Sequence, residues 1–237
     1  MVGTGEYTTG FVGGGAADSD KGSGVVALVC LDLQRRGVLG RRLGLCGSDG
    51  RKLPALREHM RRRITDTYCN LDASGVETWP EDGVVDREAY KAALDAFEPG
   101  DVCIVFTPDD THLPIVRAAL ARGLHVLVTK PPVKTLSEHR EMAAAATAAG
   151  RLCAVELHKR FDPIYADAAD RIQSLGSLSY FTSYMSQPVH QLQTFKRWAG
   201  ISSDISYYLN RYAESWIKRC LGSACPRARG ALHCFGC

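Results

Sequence analysis

"DVCIVFTPDDTHLPIVRAALARGLHVLVTKPP", residues 101–132, decides how the whole chain is read. Val102 to Phe106 is one apolar run and Val126 to Val128 another, with a helical stretch between them that stops before Gly123. Continuous apolar strands separated by a helix mark a parallel sheet covered on both faces. The unit then repeats. An alanine-rich helix over 137–149, with Ser137 and Glu138 as its start signal and Gly150 as its stop, leads to the strand "LCAVEL" at 152–157. We expect an α/β fold built on a doubly wound parallel sheet.

In such sheets ligands collect beyond the carboxyl ends of the strands. The residues there are Thr107-Pro108, Thr129-Lys130-Pro131 and His158-Lys159-Arg160. Lys130 is the singular one. An ammonium fenced by Pro131 and Pro132 has little rotational freedom and loses part of its water, which lowers its pKa. The plain alternative is a surface lysine in a proline-rich turn.

Upstream, the chain opens "MVGTGEYTTGFVGGG". Gly3-x-Gly5 followed by Thr8 and Gly10 has the form of a phosphate loop, whose glycines bring backbone N–H groups up to a pyrophosphate. Thr8 takes the place of a third glycine, and only Met1 and Val2 stand where a strand should precede the loop. Residues 24–37 fit a strand ending at Asp32, or a helix capped by Ser23, with Arg35 and Arg36 at its end and Gly37 as its stop. We read the helix. The second strand then falls within 41–52 and ends at Gly47-Ser48-Asp49, with Arg51 and Lys52 beyond. A polar turn followed by basic residues suits the 2′-phosphate of NADP better than a lone acid does. Residues 52–63 read as a helix whose Arg57, Arg61, Arg62 and Arg63 form a solvated face. The polar stretch 70–84 reads as loop, and 86–97 as a helix with Tyr90, Leu94 and Phe97 on one face.

Composition narrows the classes. The net charge of +3 is too mild to imply a nucleic-acid partner. No apolar stretch approaches the ~18–20 residues that span a bilayer. Met1-Val2-Gly3 does not open a secretory leader, so a cytoplasmic location is expected. Cys30, Cys46, Cys69, Cys103 and Cys153 lie singly in apolar segments, as reduced cysteines acting as small hydrophobes do.

"GTGEYT", "IVFTPDDTH", "HVLVTKPP" and "HKRFDP" occur in an order and spacing that resemble the glucose–fructose oxidoreductase/inositol dehydrogenase (Gfo/Idh/MocA) family over about residues 1–165. With "GTGEYTTG" and "YMSQP" (184–188) added, the likeness is to the fungal-type D-galacturonate reductase branch. The resemblance implies a Rossmann domain over 1–157 that binds NADP or NAD, with a sugar acid as substrate. It implies that Lys130 polarises the sugar carbonyl during hydride transfer. It implies cofactor contacts at Gly3, Gly5, Thr8, Ser48, Asp49, Thr107, Pro108, His112, Thr129, Lys130, Pro131, His158 and Arg160. His112 is equally readable as a helix-terminal cap, and Asp162 is read as a structural partner within "KRFDP". Thr129 stands where the family has Glu, so the usual carboxylate neighbour of the lysine is missing.

The resemblance further implies an α+β substrate and dimerisation domain, begun here over 158–210 and incomplete. Beyond Asn210 the sequence departs from the family's pattern. The family's His and Asp fall on Tyr212 and Ser215, and a phenol with pKa of about 10 is a poor proton shuttle near neutrality. The tail 211–237 carries Cys220, Cys225, Cys234 and Cys237. It reads as a departure in reading frame or splicing, in preference to a zinc site. Much of the sheet that mediates the family's homodimer has no counterpart. Two functions follow: a nicotinamide-dependent sugar-acid oxidoreductase whose present chain lacks turnover, or a non-catalytic nucleotide-binding protein.

Overall fold

The computed structural model describes residues 1–175 and Gly200. Its helices are α1 (Glu6–Thr9), α2 (Val26–Arg35), α3 (Leu53–Met60), α4 (Ala89–Asp95), α5 (His112–Ala121), α6 (Leu136–Ala149) and α7 (Pro163–Ser174). Its strands are β1 (Phe11–Val12), β2 (Gly15–Ala16), β3 (Leu43–Cys46), β4 (Val76–Trp79), β5 (Val102–Val105), β6 (His125–Thr129) and β7 (Cys153–Glu156). The chain packs as two units. The first holds Met1–Thr107, Thr111–Val128 and Thr135–Ala154; the second gathers Pro108–Asp110, Thr129–Lys134 and the chain from Val155.

The first unit is built on parallel pairing. β3 lies parallel to β4, Leu43 opposite Val76 and Cys46 opposite Trp79. β5 lies parallel to β6, Val102 opposite His125 and Val105 opposite Val128, with β7 on the far side of β6. Val2 joins the two halves by parallel bridges to both Cys46 and Val105. Its N–H donates to the Ile104 carbonyl at 2.7 Å, and its own carbonyl accepts from Phe106 N–H at 2.8 Å. One residue thus fills the first strand's place, and the loop is held despite the short lead-in.

Burial follows the apolar pattern. α2 buries Val26, Ala27, Cys30 and Leu31 on one face, against Leu43, Leu45, Leu53, Leu56, Met60 and Ile64. Leu45, Leu53 and Leu56 are fully enclosed, each worth about 1.5–3 kcal/mol. β5 and β6 contribute the buried Val105, Val126 and Val128, and α5, packed on β5, buries Ile115, Val116 and Leu120.

Several expectations need correction. Residues 70–84 are not all loop, because β4 lies within them. Only Val76 of its four residues is buried, so its strand character comes from register with β3 rather than from its own composition. Ser23 does not cap α2. Gly24, at φ +70°, turns the chain against the Thr8–Thr9 backbone, and the helix starts after Val25, whose N–H donates to the Tyr7 carbonyl. Ser137 lies inside α6, whose cap is Thr135 in a reciprocal pair with Glu138. On α4 the buried residues are Ala89, Ala93 and Leu94, with Tyr90 and Phe97 only partly covered. Cys69 is exposed, whereas Cys30, Cys46 and Cys103 are buried. Burial pushes the Cys46 thiol up to about 12 and that of Cys103 to about 11, as inert core thiols. The arginine face is solvated and paired: Arg57 with Asp82, Arg61 with Glu58 and Asp66, and Arg62 with Glu58.

In the second unit, Asp162 caps α7 by accepting from Ile164 N–H at 3.1 Å, and it pairs with Lys159 at 3.5 Å. Its structural reading stands. No described helix is long and apolar enough to cross a membrane. The strand expected near 175–188, the "YMSQP" segment, Tyr212, Ser215 and the four tail cysteines lie outside the described residues, apart from Leu175 at the end of α7.

Candidate functional site

In the first unit, the phosphate-loop segment is a tight turn locked from several sides. Gly3 has φ +107°, and a Cβ there would overlap the Phe106 carbonyl, so only glycine fits. Gly5 is the opposite case: it is exposed, and a Cβ would meet nothing within 4 Å. That open side is where backbone can approach a ligand. Thr9 Oγ1 donates to the Thr4 carbonyl at 3.1 Å and closes the turn. His59, buried on α3, reaches the Thr9 carbonyl through Nε2 at 2.9 Å and packs edge-on against Phe11. Facing a carbonyl, Nε2 carries the proton, and burial holds the imidazole below its ordinary pKa. The sequence reading missed His59, because nothing in "LREHMRRR" marks that histidine as a brace.

The Thr8 hydroxyl is buried with no hydrogen-bond partner among the described residues. A buried donor of this kind, beside the open face of Gly5, fits a phosphate-bearing cofactor. Glu6 places a carboxylate in the same turn, and Ser19 Oγ donates to it at 2.5 Å. Lys21 lies 5.3 Å above the Tyr7 ring and balances part of that charge.

Beyond β3, Asp49 caps a short turn over Gly50–Lys52 by accepting from Arg51 N–H at 3.0 Å. The Arg51 guanidinium clasps both its oxygens, at 2.9 and 2.8 Å, and draws the carboxyl down to about 2. Both are therefore engaged with each other. Lys52 is half-buried, and desolvation lowers its pKa. Ser48 is exposed at the side chain, while its carbonyl accepts from Asp86 N–H at 3.0 Å.

Thr107 Oγ1 accepts from the Thr111 hydroxyl at 2.7 Å. His112 is wholly buried at the start of α5, and its Nε2 donates to the Thr107 carbonyl at 2.8 Å. The ring ties the 107–112 turn together.

The second unit holds Lys130. It is 5 % exposed, with Pro131, Pro132 and Val133 buried behind it. The surface-lysine alternative is thereby removed. Burial lowers its pKa to about 7, opposed by the charges of Asp109 and Glu156. These two carboxylates come from segments distant in sequence from Lys130. Glu156 Oε1 accepts from the His158 N–H at 2.8 Å and lies 3.1 Å from Nδ1. Thr129 is half-buried; Pro108 is exposed, and Arg160 lies in the turn His158–Arg160. Asp109 and Glu156 escaped the sequence reading. A signal existed for Glu156, the one charge in the apolar run "LCAVEL". Among the described residues there is no cluster of His, Cys, Asp and Glu fit to hold a metal ion.

Residues 44–157 match the model of an oxidoreductase family described by its NAD-binding Rossmann fold, GFO_IDH_MocA. The chain is 36 % identical to the oxidoreductase YdgJ of Escherichia coli K12 over 114 residues, 46 % of this chain and 32 % of that protein. It is 30 % identical to scyllo-inositol 2-dehydrogenase (NAD(+)) of Bacillus subtilis over 170 residues, 69 % of this chain and 46 % of the relative. Among solved structures, myo-inositol 2-dehydrogenase from Lactobacillus plantarum superposes with a TM-score of 0.61 at 20 % identity, covering 81 % of this chain and 51 % of that one. The present chain thus spans about a third to about a half of the length of these relatives.

Proposed function

With the NAD-binding Rossmann fold of the Gfo/Idh/MocA oxidoreductases in residues 44–157, we propose that the chain derives from an NAD(P)-dependent oxidoreductase acting on a sugar acid such as D-galacturonate. The observation that carries this reading is Lys130: an amine enclosed at the end of β6 and acted on by the charges of Asp109 and Glu156. Gly3, Gly5 and Thr8 would hold the pyrophosphate. Lys52, with Ser48 and Asp49, would meet the adenosine ribose or its 2′-phosphate. Thr107, Pro108 and His112 would shape the nicotinamide ribose end, and Thr129, Pro131, His158 and Arg160 the surroundings of Lys130. The cofactor, when bound, exchanges a hydride with the sugar carbon. Lys130 gives its proton to the carbonyl oxygen as charge develops there, or takes it back in the reverse direction.

NADP is the preferred cofactor in this reading, because Arg51 is committed to Asp49 and Lys52 remains to receive a phosphate. Lys52→Ala should reduce the preference for NADPH over NADH by about tenfold in a cofactor-fluorescence titration, the size of one charge-assisted hydrogen bond. An unchanged ratio would remove Lys52 from the site. The function itself is tested by NADPH consumption with D-galacturonate. Turnover that disappears in Lys130→Met supports the oxidoreductase. The present chain is expected to bind cofactor without measurable turnover, because Tyr212 and Ser215 stand where the resemblance implies His and Asp. A chain that follows the family's pattern past Asn210 should turn over under the oxidoreductase reading and stay inactive under the second reading, a nucleotide-binding protein. Failure to bind either cofactor would overturn both.

A further inference from the structure

Three chain segments far apart in sequence meet in the second unit: Pro108–Asp110, Thr129–Lys134 and the chain from Val155. Among their ionisable groups are Asp109, Lys130 and Glu156; Lys130 directly follows β6, and Glu156 ends β7, its neighbour in the sheet. Lys130 is almost fully enclosed, and a buried ammonium without counter-charge would give up its proton. Asp109 has one carboxylate oxygen buried with no hydrogen-bond partner among the described residues. Such an oxygen is costly to enclose unless a positive charge stands near it. Glu156 is fixed differently. The His158 backbone N–H and ring both meet Oε1, at 2.8 and 3.1 Å, and His158 itself faces solvent. One oxygen of Glu156 is therefore anchored by the turn that follows β7.

We propose that Glu156, anchored by His158, is a positioning residue that joins Asp109 in supplying the counter-charge that keeps Lys130 in its cationic, proton-donating form. The proposal rests on the reading of Lys130 as the group that meets the reacting oxygen. It adds that the two carboxylates take over from the neighbouring acid absent at Thr129. Among the described residues, Asp109 and Glu156 are the charges acting on Lys130. Their loss has a fixed sign: with less negative charge nearby, the amine releases its proton at lower pH.

The test needs neither cofactor nor turnover, so its failure is separable from failure of the oxidoreductase reading. The chain is labelled with 13Cε-lysine, and the Lys130 resonance is assigned by its disappearance in Lys130→Met. The wild-type resonance should titrate near neutrality, far below an ordinary lysine. In Glu156→Gln the midpoint should fall by about one pH unit or more, and Asp109→Asn should act in the same direction. Glu156→Asp, which keeps the charge, should restore most of the shift. His158→Ala should give a smaller fall, because the carboxylate is loosened rather than removed. Circular dichroism of each variant checks that the fold is kept, and a variant that unfolds is replaced by the Asp109→Asn comparison. A wild-type midpoint near 10, or an unmoved midpoint in both Glu156→Gln and Asp109→Asn, would overturn the proposal.

Discussion

The glycine-rich turn and the Lys130 cluster are assembled by opposite means. In the turn, backbone contacts do the shaping: Gly3 is the only residue that fits beside the Phe106 carbonyl, and Thr9 closes back on Thr4. Backbone geometry is the result. The Lys130 cluster instead draws single residues from three segments, and what it creates is a local field. A loop of glycines can therefore be recognised by spacing alone, while a charge cluster exists only once the chain has folded.

The largest effect that could break this contrast is expected at Gly3. Gly3→Ala forces a side chain into a left-handed backbone position against a carbonyl, and should cost about 3 kcal/mol or more in urea unfolding. Wild-type stability in that variant would mean that the turn is not fixed by this contact.

Next comes the pH dependence of the Lys130 cluster. The folded-state pKa is lowered from 10.5 to about 7, so below pH 7 both folded and unfolded chains hold the proton and the burial penalty is complete. Between those values the unfolded chain still holds a proton that the folded chain has released, and stability rises with pH. Relative to Lys130→Met, which cannot titrate, the wild type should gain about 3 kcal/mol between pH 7 and pH 9.5, near 1.4 per pH unit. A flat difference across that range would show that the amine is not perturbed.

The smallest expected effect sharpens the contrast within the turn itself. Gly5→Ala should leave unfolding within about 0.5 kcal/mol of wild type, because a Cβ there meets no neighbour. The same variant should weaken NADPH binding, since the added methyl occupies the ligand's side of the loop. Loss of stability without loss of binding would reverse the roles assigned to Gly3 and Gly5.

Much of the parallel sheet was legible in the chain. The apolar runs at 102–106, 125–129 and 153–157, each followed by a turn and separated by amphipathic helices, carry the period that dictates a doubly covered sheet. The glycines at 3 and 5, the helix over 26–35 and the lysine at the end of β6 could be read the same way, because each depends on local spacing. Tertiary structure decided the rest. Val2 acts as a strand only because Cys46 and Val105 flank it, and β4 exists only in register with β3. His59 becomes a brace only when α3 is laid against the loop. Asp109 and Glu156 act on Lys130 from segments that no local pattern connects, and the fold gathers those segments in one unit. The reason is physical: hydrophobic period and turn chemistry act over a few residues, whereas burial and electrostatic fields depend on distances set by the folded chain.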